Sequence, residues 1–246
     1  MALEKASGIV IKKTNLGDND LIITIFTKEK GKIQVVAKGA KKVKSKFIGS
    51  TQLFSYSNFV YYTGKSFNYL SQSELIESFY NIRKDLEKLS VATYLIEIIN
   101  LAFEEEDKDE RVLNLVLYSL NTINRLKIKS SKYILLAYQL KMMGLMGYAP
   151  NLHHCSKCLK EYEEYFFSIE TGGVICKECK GQDLYSNIIT VQGIDLMKTL
   201  LFYPIKKINE ISYNDDLLKY LIKIMNKYIV YHIDRKIISY DFMETI

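Results

Sequence analysis

Residues 7–37 read SGIVIKKTNLGDNDLIITIFTKEKGKIQVVA, and their pattern is the main evidence for the fold class. Its apolar residues recur at every second position, which is the period of a half-buried β-strand. Turn-forming runs at residues 15–18 and 28–31 divide it into three short strands. The predicted strand faces are Ile9, Ile11 and Lys13 in the first, Leu21, Ile23 and Ile25 in the second, and Ile33 and Val35 in the third.

Two aromatic-rich segments extend the β-region, one around residues 52–62 and one around residues 67–77. They are joined at Thr63-Gly-Lys-Ser66, which we interpret as a turn. Five strands in the first eighty residues, with no long helix among them, are typical of a small barrel such as the OB-fold.

From residue 81 the hydrophobic period changes from two to that of a helix. Apolar residues at steps of three and four predict a central helix over residues 86–103. Further helices are predicted at about 110–125, 131–146 and 192–202. A last one carries Leu218, Leu221, Ile222, Met225 and Ile229 on one face.

The chain contains four cysteines, in two C-x2-C pairs with seventeen residues between them: Cys155, Cys158, Cys176 and Cys179. This spacing can form a closed tetrahedral site of four thiolates, which favours one structural Zn²⁺ in a small zinc ribbon. Gly172 and Gly173 suit the hairpin turn between the pairs. Two disulfides or four free thiols are the alternatives, and a reducing compartment disfavours the disulfides.

The predicted fold class is therefore α+β, with an N-terminal five-stranded OB-fold barrel followed by an α-helical domain that carries an inserted four-cysteine zinc ribbon. The expected division is a barrel domain over residues 1–80 and a helical domain over 81–150 and 184–246. The ribbon occupies residues 151–183.

Charge is concentrated at one end of the chain. Residues 1–50 hold eleven lysines and four acidic residues, so that they carry +7 while the remaining 196 residues carry −1. A basic region confined to the barrel indicates a polyanionic partner there. A lysine-rich composition whose lysines are simply solvated is the alternative.

Other functional classes find little support in the sequence. No apolar run is long enough to span a bilayer, and nothing resembles a signal peptide, so a cytoplasmic protein is expected. No nucleophile with a matching base is apparent, so we predict that the protein is not an enzyme. Asp18 and Asp20 would be the metal ligands of a nuclease, yet a turn calls for the same residues.

Several short motifs follow one another in a recognisable order. They are Gly8-Ile-Val-Ile11, Gly17-Asp-Asn-Asp20, Phe26-Thr-Lys-Glu-Lys-Gly-Lys32, Val36-Ala-Lys-Gly-Ala-Lys41, Ser45-Lys46, Gln52-Leu-Phe54, Gly144-Leu-Met-Gly-Tyr-Ala-Pro150, and Gly172-Gly173 before Cys176. Together they resemble the RecO family of bacterial DNA repair proteins over nearly the whole chain. The family more often has a single glutamate after the glycine where this chain has Asp18 to Asp20.

The resemblance implies a non-catalytic recombination mediator. Such a protein binds single- and double-stranded DNA, anneals complementary strands, associates with RecR and helps RecA replace single-stranded DNA-binding protein. It also recognises the acidic, phenylalanine-ended tail of that protein, and it is expected at the nucleoid. Some family members lack the cysteines, which implies an architectural ribbon.

Sequence-independent binding of this kind needs cations that meet backbone phosphates. The candidate DNA-binding residues are Lys12, Lys13, Lys38, Lys41, Lys42, Lys44 and Lys46. The alternative function is that of a zinc-ribbon interaction or transcription factor, in which the ribbon itself contacts DNA or a polymerase.

Overall fold

A computed structural model describes residues 2–125, 131–161, 164–181, 183, 185–210 and 214–245. They form two compact units, one up to Asn124 and one from Arg125 to Glu244. The first unit contains β1 (Leu3–Leu16), β2 (Asp20–Thr27), β3 (Gly31–Ala37), β4 (Tyr56–Tyr62), β5 (Asn68–Glu77), α1 (Leu86–Ala102) and α2 (Glu110–Arg125). The second contains α3 (Ser131–Leu145), β6 (Tyr165–Ser168), β7 (Gly173–Cys176), α4 (Lys177–Lys180), β8 (Asn187–Ile189), α5 (Val191–Phe202), α6 (Asp215–Ile233) and α7 (Ile238–Glu244).

The five strands of the first unit close into a barrel in the order β1-β2-β3-β5-β4, and β4 returns to pair with β1. All neighbouring strands are antiparallel except β3 and β5, which pair in parallel over Val35 and Val36. The predicted five-stranded barrel of the OB class is thus confirmed. Its interior is filled by small and branched side chains with a few aromatic rings, namely Ala6, Val10, Leu21, Ile23, Ile25, Ile33, Val35, Ala37, Ala40, Phe47, Phe59, Tyr61 and Leu70.

The prediction that Ile9, Ile11 and Lys13 share one face of β1 is wrong. The pairing of β1 with β2 shifts register between Val10 and Lys12, which leaves Ile11 as an extra residue. A bulge of this kind reverses the alternation of faces beyond it. Consequently Lys13 lies on the inner face with Val10, whereas Ile9 and Lys12 lie on the outer face.

The fourth strand also begins later than expected. Residues 52–55 form a turn in which Phe54 adopts a left-handed conformation, with φ of 70°, and is fully buried. The Phe54 N–H donates to the Val10 carbonyl, and the Ser55 N–H donates to the Gln52 carbonyl. Because residues 52–55 form this turn, β4 starts at Tyr56 and not near Gln52.

Helix α1 packs on the outside of the barrel in the first unit, where it contacts β1. Asp85 is the N-cap of α1, and its carboxylate accepts the Lys88 N–H at 3.0 Å. At its other end, Lys32 of β3 is largely buried and its Nζ donates to the carbonyls of Asn100 and Phe103. The barrel therefore supplies the cap for the last turn of α1.

In the second unit, helix α3 is buried on nearly every side and contacts α5 and α6. Buried polar groups join these helices: the Gln139 side chain donates to the Ile222 carbonyl, and Lys141 Nζ donates to the Leu201 carbonyl. The three-stranded sheet β7-β6-β8 lies between α3 and α5 in the chain, which confirms an insertion between helices. Its third strand, β8, falls beyond residue 183, where the ribbon was expected to end. The short helix α7 was not predicted. No helix in the described part of the chain is long and apolar enough to cross a membrane.

Candidate metal centre and nucleic-acid interface

The four cysteines converge on one point in the second unit. Their sulfur atoms all lie within 4.8 Å of one another, and the Cys158 and Cys176 sulfurs are 3.9 Å apart. In a tetrahedral site with metal–sulfur bonds near 2.3 Å, the sulfurs would be about 3.8 Å apart. The donor set and its spacing therefore fit one four-coordinate metal ion.

Backbone N–H groups stabilise negative charge on these sulfurs. The Cys176 N–H points at the Cys155 sulfur and the Cys179 N–H at the Cys176 sulfur, each at 3.4 Å. Burial opposes ionisation of Cys155, but the N–H groups that face its sulfur outweigh burial, and the pKa falls to about 6. Hydrogen bonding to the Cys176 sulfur raises the pKa of Cys179 to about 12. Four thiols at this distance need a cation before all of them ionise.

The β6–β7 hairpin holds the two cysteine pairs together. Gly172 takes a left-handed conformation, with φ of 69°, and Gly173 lies so close to Asn151 that a side chain would overlap the Asn151 carbonyl. The Asn151 N–H donates to Gly172, and the Ser156 N–H donates to Val174. These bonds fix the first C-x2-C pair beside the strand that leads to the second. Gly172 lies in the hairpin turn, as predicted, and Gly173 is the first residue of β7.

The basic segment, residues 38–46, leaves the barrel after β3 and is anchored to the β1–β2 turn. The Asp20 carboxylate accepts the Gly39 N–H at 2.7 Å, and the Lys41 N–H donates to the Asn19 carbonyl at 3.0 Å. Lys41 Nζ also donates to the Gly17 carbonyl at 3.2 Å. Asp20 thus has a structural task in positioning the basic segment, consistent with the predicted turn.

The lysines of the basic segment lie on the surface around this anchor. Lys38 Nζ lies 4.9 Å from the centre of the Tyr69 ring, and Lys46 Nζ donates to the Ser71 carbonyl at 3.1 Å. Lys42 and Lys44 are exposed. The segment therefore extends positive charge from the β1–β2 turn to the outer side of β5.

The two remaining candidates on β1 are consecutive residues and point to opposite faces, and the bulge decides that Lys13 is the inward one. Lys13 is on the inner face of β1, and its Nζ donates to the Gln52 side chain at 3.3 Å. Lys12 lines a different cavity, which it shares with Glu104 and Glu105. A phosphate chain at Lys12 would meet these carboxylates as well.

His232 lies on α6 among aromatic rings. Its ring stacks on Tyr148 with centroids 4.1 Å apart and meets Tyr228 and Tyr231 edge-on. Burial lowers the pKa of His232 and so favours the neutral imidazole. The metal-ligand cluster contains cysteines alone among the residues described.

Family models match both halves of the chain. One described as "Recombination protein O N terminal" matches residues 1–79, and one described as "Recombination protein O C terminal" matches residues 83–241. The chain is 36% identical over 234 residues to the DNA repair protein RecO of Alkaliphilus metalliredigens, covering 95% of each chain. It is 35% identical over 246 residues to that of Thermoanaerobacter sp. strain X514, covering all of this chain and 99% of the relative.

A closed OB-type barrel with a basic segment, combined with a helical unit that carries a four-cysteine site, defines the protein as a two-unit α+β protein of the OB-barrel class. The two family models and the full-length relatives identify the family within this class. The chain belongs to the RecO family of DNA repair proteins.

Proposed function

We propose that this protein is a non-catalytic recombination mediator that binds single- and double-stranded DNA, anneals complementary strands and, with RecR, assists the loading of RecA on DNA coated with single-stranded DNA-binding protein. The observation that carries the proposal is the basic segment held on the barrel by Asp20 and Lys41. An anchored array of lysines binds phosphates with less loss of conformational entropy than a free loop.

The basic segment would contact the DNA backbone, with Lys13 as an auxiliary contact and Lys12 as a weaker one. Lysine recognises phosphate as a point charge, so these contacts carry no sequence information. Annealing requires binding that does not depend on sequence, because any pair of complementary strands must be accepted. Lys38, Lys41, Lys42, Lys44 and Lys46 would neutralise about five phosphates, which corresponds to a slope of log K against log salt of roughly −3.5 to −4.5.

Replacing Lys41, Lys42 and Lys44 by Ala tests this interface. We expect weaker binding to oligonucleotides of every sequence and a slope of log K against log salt that is smaller by about 2 to 3, because three counterion releases are lost. Fluorescence anisotropy with labelled oligonucleotides over a range of salt concentrations measures both quantities.

A matched control removes three charges elsewhere. Lys207, Lys219 and Lys223 are exposed in the second unit, and their replacement by Ala makes the same change in net charge. We expect a small change of slope in this variant. An unchanged slope in the first variant, or an equal reduction of the slope in both variants, would contradict a specific role for the basic segment.

We infer that the ion held by Cys155, Cys158, Cys176 and Cys179 is a structural Zn²⁺. A closed set of four thiolates leaves no coordination position for substrate, so the ion would brace the ribbon and take no part in a reaction. Tetrahedral thiolate sites also suit iron, and elemental analysis of reductively purified protein distinguishes the two.

Recognition of the tail of single-stranded DNA-binding protein belongs to the same proposal. That tail is acidic and ends in phenylalanine, so it needs an apolar groove beside a cation. A groove in the second unit, with a volume of about 610 Å³, is lined by Ile169, Val230 and Tyr231 together with Lys227. The proposed place of action is the cytoplasm, at the nucleoid.

A further inference from the structure

One face of the barrel exposes apolar and aromatic side chains that its own core does not use. Tyr61 of β4 and Leu70 of β5 are paired and belong to the barrel interior. Successive residues of a strand point to opposite faces. The next pair, Tyr62 and Tyr69, therefore points outward from the barrel.

The two tyrosines are part of a row that crosses four strands. Tyr62 also pairs with Leu3 of β1, and Tyr69 also pairs with Val36 of β3. Leu3 is 54% exposed and Tyr62 is 43% exposed, while Tyr69 is half-buried. Directly paired residues on one face have their side chains within contact distance of each other, so the two rings form one surface.

Lysine side chains lie beside this row of residues. Lys38 Nζ lies 4.9 Å from the centre of the Tyr69 ring, and Lys46 Nζ is held at the Ser71 carbonyl, two residues further along β5. Lys5 is exposed on the outer face of β1, two residues from Leu3. Partly exposed rings bordered by lysines complement a ligand that has flat apolar faces joined by anionic groups.

We propose that Tyr62 and Tyr69 form a stacking platform for the unpaired bases of single-stranded DNA. This inference rests on the proposed function and assigns base contacts to the same barrel whose basic segment would meet the phosphates. A base on the Tyr69 ring would bring its own phosphate within reach of Lys38, whose flexible side chain already lies over that ring.

The platform gives the protein a preference for single strands. Bases in a duplex have their flat faces covered by neighbouring base pairs, so rings on a sheet surface can stack only on bases that are already unpaired. Stacking is tolerant of sequence because every base has a π-face. It also adds affinity without releasing further counterions, which separates it experimentally from the lysine contacts.

The test replaces both rings by Leu (Tyr62→Leu with Tyr69→Leu) and measures binding of single-stranded oligothymidylate and of a duplex of equal length. We expect the dissociation constant for oligothymidylate to rise about tenfold or more, given the usual worth of a base–aromatic stack. The duplex affinity and the salt slope should stay as in the wild type. The Tyr62→Phe, Tyr69→Phe variant keeps the rings and should bind within about twofold of the wild type.

A matched control is available in the same unit. Tyr80 is 59% exposed and has Lys84 Nζ over its ring at 4.4 Å, but it lies outside the barrel strands. Tyr80→Leu should leave oligothymidylate binding unchanged. Wild-type affinity in the double Leu variant, or an equal loss of single-strand and duplex binding, would overturn the platform.

Photo-crosslinking of the wild-type protein to halogenated oligothymidylate provides a second measurement that does not depend on the folding of any variant. Crosslinks within residues 62–69 are expected, and crosslinks confined to other peptides would overturn the proposal. If the wild type binds no DNA, the proposed function fails as a whole. If it binds DNA and responds to the lysine substitutions but not to the loss of the rings, only the platform fails.

Discussion

Gly31 and Gly17 have nearly the same backbone conformation and different surroundings. Both are left-handed, with φ of 65° and 62°, in the turns that end β2 and β1. A Cβ at Gly17 would meet nothing within 4 Å, whereas a Cβ at Gly31 would overlap the Asp107 carbonyl. The close approach at Gly31 lets the β2–β3 turn contact the chain between α1 and α2.

We expect Gly31→Ala to destabilise the protein by roughly 2 to 4 kcal/mol, because left-handed strain is added to an overlap with backbone that cannot move aside. Gly17→Ala carries only the conformational cost of about 1 kcal/mol and serves as the control. Chemical denaturation followed by circular dichroism measures both free energies of unfolding. Equal losses in the two variants would contradict the role given to the Asp107 contact.

At the scale of elements, the ribbon is the part that we expect to depend on a bound ion. Its strands have three or four residues each, and a small sheet of this kind buries too little apolar surface to be stable alone. We expect about one equivalent of zinc, whose removal by a chelator should increase hydrogen exchange across residues 151–189 while the strands of the barrel keep their protection.

The control for metal removal is Cys158→Ser combined with Cys179→Ser, which removes one ligand from each pair. It should reproduce the exchange pattern of the chelated protein and leave most of the DNA affinity in place. A metal content far below one equivalent in reductively purified protein, or a loss of protection in β1–β5 on chelation, would contradict a purely local brace.

The sequence predicted these elements where a periodic pattern or a fixed spacing carried the information. Alternation identified β2 and β3, and the spacing of the two C-x2-C pairs was enough to identify the candidate metal ligands. Alternation failed at β1, because one extra residue at Ile11 moves Lys13 to the other face. The pairing of Tyr62 with Tyr69 depends on strand register, and the anchoring of Gly39 by Asp20 joins distant turns, so neither could be predicted locally.

At the scale of the whole molecule, the barrel shares a compact unit with the first two helices. Ile9 and Phe26 are fully buried although they face away from the barrel interior, and the Phe26 ring meets the Phe103 ring edge-on at 5.3 Å. The two family models meet between residues 79 and 83, beside the predicted domain boundary at residue 80. The compact unit continues to Asn124 and so includes α1 and nearly all of α2.

We therefore expect a fragment of residues 1–124 to fold cooperatively and to bind oligothymidylate, while a fragment of residues 1–80 exposes Ile9 and Phe26 and is much less stable. Exposing two buried side chains of this size to water lowers the free energy of unfolding by about 3 to 6 kcal/mol, which is comparable to the net stability of a small domain. Thermal unfolding of both fragments measures this. Equal melting temperatures would show that α1 and α2 are dispensable for the barrel.

The return of β4 to β1 has a consequence for crowding. A sheet that ends in a free strand offers unpaired amides to any neighbour and invites polymerisation, whereas a closed one offers no such template. When copies of this protein are crowded together, their barrels therefore gain little by pairing edge to edge.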